Sequence, residues 1–143
     1  MKTVGIIGGI GPESTIEYYR FIIAGYRART NDDSYPAIII NSVDLSKLVG
    51  WMNANELDAV TNYLVAAIER LARAGADFAA MAANTPHIVF DQVSERSPLP
   101  MISFGGNSLV TTLALMGMLM NVSENGGAGC RISDTGFRIS DGR

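Results

Sequence analysis

One cysteine and one histidine in 143 residues leave little material for several kinds of chemistry. A lone Cys130 excludes an internal disulfide, and no His/Cys cluster has the spacing of metal ligands, so no metal is expected. Charge is sparse too. Only 17% of residues are charged, the formal net charge is -3, and no basic cluster offsets it, which argues against a nucleic-acid partner. Long apolar runs are missing. The stretch Leu109–Met120 is too short to span a bilayer and contains Thr111, Thr112 and Gly117. The first apolar run is broken by Gly5, Gly8 and Gly9, so it reads as a strand and a turn, not as a leader. A cytoplasmic chain with no membrane partner is the expectation.

What is present is an alternation of apolar runs and helical stripes, in a chain 48% hydrophobic and long enough for one core. Thr3–Gly8 predicts a first strand. A helix follows from Pro12 to about Arg29, with Ile16, Tyr19, Ile23 and Tyr26 at helical spacing. Ala37–Ile40 predicts a second strand and Leu45–Met52 a short helix. Asn55 is placed to cap a longer helix running to about Ala74, with Val60, Leu64, Ile68 and Leu71 as its buried face and Gly75 as its stop. A short alanine-rich strand begins at Ala76, a helix covers roughly Pro86–Ser94, and a fourth strand lies near Met101–Ser103. The order β-α-β-α-β-α-β implies a doubly wound α/β fold, with a parallel sheet of about four strands and right-handed crossovers. Residues 1–104 form this α/β domain. Residues 105–143 change texture and are read as a separate tail, partly helical through Met120 and then largely disordered, with Arg-Ile-Ser-Asp occurring at 131–134 and 138–141. A shifted reading frame past Ser103 would produce such a change.

Chemistry collects where the strands end. Asn84, Thr85 and His87 follow the third strand, at the sheet edge where open α/β folds bind small ligands. Thr85 before Pro86 is a candidate N-cap, and capping alone is the plainer reading of Asn84 and Thr85. The turn Gly8-Gly9-Ile10-Gly11-Pro12-Glu13 lets a ligand approach the backbone and opens a helix whose N–H groups suit an anion. It lacks the third glycine of the dinucleotide fingerprint, where Ser14 stands, and Asp44 lies further along than the usual ribose-binding acid. A dinucleotide-binding domain is therefore a lesser alternative, and no cofactor is expected. Ser42 and Asp44 sit near the same edge. Each is placed either to meet a substrate amino group or to cap the short helix.

Taken together, Lys2–Thr15, Asn41-Ser42-Val43-Asp44, Ala74-Gly75-Ala76-Asp77 and Asn84-Thr85-Pro86-His87 resemble the pyridoxal-independent aspartate/glutamate racemases, over about residues 2 to 103. The resemblance implies removal and return of the α-proton of an acidic amino acid without a cofactor, by two cysteines, one from each of two similar α/β domains. It implies that Gly9, Ile10, Gly11, Asn84 and Thr85 hold the α-carboxylate, with Ser42 and Asp44 as further candidates. The family's first cysteine falls at Ala83 or Ala82, where alanine cannot move a proton. Cys130 does not lie in a matching second motif, and His87 is the remaining candidate base or else a supporting residue. The chain thus looks like the first domain of such a subunit. A non-catalytic domain retaining only the carboxylate cradle is the alternative, and a homodimer is left open.

Overall fold

A strand covered on both faces needs apolar or small side chains at every position. β1 (Val4–Gly8) meets that condition, and all five of its residues are buried in the interior of the sheet. The computed structural model describes residues 2–30, 32–82, 88–103 and 138–140. In chain order the elements are β1, α1 (Pro12–Arg27), β2 (Ile38–Ser42), α2 (Leu45–Asn53), α3 (Leu57–Arg73), β3 (Phe78–Met81), α4 (Phe90–Arg96), β4 (Met101–Ser103) and β5 (Arg138–Ser140). The sheet runs β2-β1-β3-β4-β5. Its first four strands are parallel, which is the expected doubly wound α/β architecture, and β5 pairs antiparallel with β4. Three residues of the tail predicted to lack structure are thus a strand, paired through Ile102 and Ile139.

Strand alternation divides the core. On one face Ile7, Ala79 and Met81 meet Leu64, Ile68 and Leu71 of α3 and Val93 of α4. On the other, Val4, Ile6, Phe78 and Ala80 meet Ile22 and Tyr26 of α1. The predicted face of α3 is the one that is buried. Small residues let α3 come close: a Cβ on Gly5 would stand 3.0 Å from the Ala76 methyl and 3.1 Å from a Leu71 methyl.

Helix ends account for two differences from expectation. The Gly75 N–H donates to the Ala72 carbonyl and the Ala76 N–H to Leu71, a Schellman closure of α3 with Gly75 at φ 98°. Asn55 performs the same task for α2, at φ 55°, with Asn55 N–H to Met52 and Glu56 N–H to Trp51. Asn55 therefore ends α2 instead of capping α3, whose N-cap position is Glu56 with no side-chain bond. α4 also starts later than Pro86. It begins at Phe90, with Val89, Phe90 and Val93 buried. In α1 the inner face is Thr15, Ile22 and Tyr26, while Ile16 and Tyr19 of the predicted stripe are 54% and 43% exposed.

Candidate active site

The strand order sets the site before any side chain is considered. From β1 the chain crosses outward to β2 and later returns to β3 on the other side of β1, so β1 and β3 flank a topological switch point. Their register pairs Ile7 with Met81, while Gly8 pairs with Ser42 and Met81 with Ser103. The loops after β1, β2 and β3 therefore leave from one edge.

The loop after β1 is folded onto the end of β2. Val43 N–H donates to the Gly8 carbonyl at 2.8 Å. Gly9 has φ 86°, and a Cβ there would lie 2.4 Å from the Val43 carbonyl oxygen and 2.5 Å from Ser42 Oγ. Only glycine fits at that position. Ser42 is the last residue of β2, and Gly9 and Ser42 are direct neighbours. Gly11 occupies the N-cap position of α1 with extended backbone and no side-chain cap, and Pro12 begins the helix.

The three loop residues are not equivalent donors. The Gly9 N–H is taken by Thr15 Oγ1 at 3.1 Å, and the same hydroxyl donates to the Gly11 carbonyl at 3.0 Å. Among the described residues the N–H groups of Ile10 and Gly11 have no hydrogen-bond partner. The Ile10 side chain is buried in the core. Thr15 is absent from the candidates that the sequence suggests. Its one signal is the four-residue step from Gly11, over which a threonine hydroxyl reaches back to a carbonyl.

Asp44 is the N-cap of α2. Its carboxylate accepts from Ser46 N–H at 2.9 Å, and its own N–H donates to the Tyr63 hydroxyl at 3.0 Å. Asp44 thus caps α2, one of the two roles left open for it. Tyr63 has no sequence signal either, since it reaches Asp44 from α3. It packs edge-on against Trp51, with ring centroids 5.3 Å apart. Ser46, Lys47, Gly50, Trp51 and Tyr63 line a groove of about 550 Å³, which includes none of the candidate residues.

Ala82 is 2% exposed and packs in the core cluster that faces α1. Ala83, Asn84, Thr85 and His87 lie outside the described residues. Among the described residues no group of three or more His, Cys, Asp or Glu could hold a metal ion. Among them too, no helix is long and apolar enough to cross a membrane.

Comparison with known proteins identifies this arrangement. Residues 7–122 match the family of Asp/Glu/hydantoin racemases, and the chain belongs to that family. A solved structure of an aspartate racemase homologue from Pyrococcus horikoshii is 41% identical, with a TM-score of 0.65, covering 72% of this chain and 45% of that one. A candidate Asp/Glu racemase from Yersinia pestis is 33% identical, with a TM-score of 0.67, covering 71% of this chain and 44% of that one. The aspartate racemase of Picrophilus torridus shares the fold alone, at 19% identity and a TM-score of 0.51, over 85% of this chain and 90% of that one. The chain spans less than half the length of the first two.

Proposed function

We propose that this protein is a cofactor-independent amino-acid racemase of the aspartate/glutamate type, and that the 143-residue chain supplies the half of the machinery that holds the substrate's α-carboxylate. The observation that carries the reading is the Gly9–Gly11 loop at the switch-point edge, with the Ile10 and Gly11 amides unpartnered among the described residues. Backbone donors aimed at a carboxylate do two things. They fix the amino acid, and they stabilise the negative charge that spreads onto the carboxylate as the α-proton leaves. By the family resemblance, Asn84 and Thr85 are assigned to the same carboxylate. Ser42, beside Gly9, is assigned to the substrate's polar groups.

Inversion at the α-carbon needs a base on one face and an acid on the other. The resemblance puts the first of these positions at Ala83 or Ala82, and alanine carries no transferable proton. That substitution favours a second reading, in which the chain binds an acidic amino acid without turning it over. The domain boundary at residue 104 and a cytoplasmic location belong to the same proposal. Calorimetry separates these readings from the nucleotide alternative. L-aspartate or L-glutamate should bind and NAD should not. Absence of heat with both amino acids at millimolar concentration, or micromolar binding of NAD, would overturn the assignment.

A further inference from the structure

We propose that Thr15 is the positioning residue of the glycine loop, holding it in the shape that leaves the Ile10 and Gly11 amides, and not that of Gly9, for a carboxylate. The inference rests on the carboxylate role proposed above for this loop. Thr15 stands in the first turns of α1 and is 9% exposed. Its hydroxyl hydrogen goes to the Gly11 carbonyl and its oxygen accepts the Gly9 N–H, so the group spans both ends of the loop. With its proton committed within the loop, the hydroxyl acts on a ligand through the backbone it holds. The methyl group has a separate task. It lies 2.6 Å from where a Cβ on Gly8 would be, and so fills the space that the missing side chain of Gly8 leaves.

Two consequences follow from this geometry. The Gly9 amide is withdrawn from the set of donors, which narrows the cradle to two adjacent amides at the start of a helix. The rotation of α1 is also set. With Thr15 turned inward, Ile22 and Tyr26 follow on the same face and Ile16 is left outside. Serine can replace the hydroxyl but not the methyl, and valine the reverse.

The test compares Thr15→Val and Thr15→Ser in the full chain by two NMR readouts. One is hydrogen exchange of the Gly9 amide without ligand. The other is titration with L-aspartate, followed at the Ile10 and Gly11 amides. Loss of the hydroxyl should speed Gly9 exchange about tenfold or more and weaken L-aspartate about tenfold, whereas serine should stay within about threefold of the parent on both. Unchanged Gly9 exchange in Thr15→Val, or equal losses in the two variants, would overturn the proposal and leave Thr15 a packing residue. If the parent chain fails to bind L-aspartate, the carboxylate reading falls. Gly9 exchange in the two variants then still decides whether Thr15 shapes the loop.

Discussion

Gly9 stands where backbone from β1 and β2 converges, and no side chain fits there. A Cβ would overlap the Val43 carbonyl oxygen and Ser42 Oγ, and φ of 86° adds conformational strain. Gly9→Ala should therefore destabilise the fold by about 2–4 kcal/mol, read from the midpoint of urea unfolding. A loss below about 0.5 kcal/mol would mean that the loop is free to move away from β2. The glycine-rich turn was legible in the sequence, because glycines after a strand and before Pro12 have few other uses, whereas its contact with Ser42 was not. Thr15 and Tyr63 were not. A threonine inside a helical pattern reads as a neutral residue, and a tyrosine reaching a backbone amide from another helix leaves no local trace.

At the scale of elements, α1 is where a periodic reading of the sequence and the packed helix diverge. Ile16, Tyr19, Ile23 and Tyr26 form a plausible stripe, yet the helix is rotated so that Thr15, Ile22 and Tyr26 face the sheet. Helical spacing leaves several neighbouring stripes nearly equal in apolar content, and the contact of Thr15 with the loop selects among them. Ile22→Ala should cost about 2–5 kcal/mol, whereas Ile16→Lys should stay within about 0.5 kcal/mol. The opposite ranking in thermal or urea unfolding would restore the sequence-based face. α3 is legible because Val60, Leu64, Ile68 and Leu71 coincide with its contacts and Gly75 supplies an unambiguous end. In α2, a Cβ added to Gly50 would meet no atom within 4 Å, and the backbone there does not have a positive φ. Gly50→Ala should then raise stability by about 0.5–1 kcal/mol, the ordinary helix-propensity gain. A net loss would point to a contact made across the neighbouring groove.

For the molecule as a whole, the β2-β1-β3-β4 order brings the ends of β1 and β2 to one edge, and the family match gives the chain a racemase ancestry. The parallel sheet was legible because strands and helices alternate along residues 3–103. The β5 strand was not, since three residues in a polar tail carry no period of their own and gain their form from pairing with β4. We propose that this chain holds a carboxylate cradle but carries alanine at the first of the two base positions that racemisation requires. General acid–base catalysis by one positioned group contributes roughly 10²–10⁴-fold, so the alanine that the resemblance puts at the first base position would be a severe deficit. The most direct measurement is incubation of the 143-residue chain with L-aspartate or L-glutamate in deuterated water, following the α-proton signal by NMR. The expected result is loss of signal no faster than in a protein-free control. Exchange well above that control, abolished by Asn84→Ala or Thr85→Ala, would contradict the claim and make His87 the first residue to test as the base.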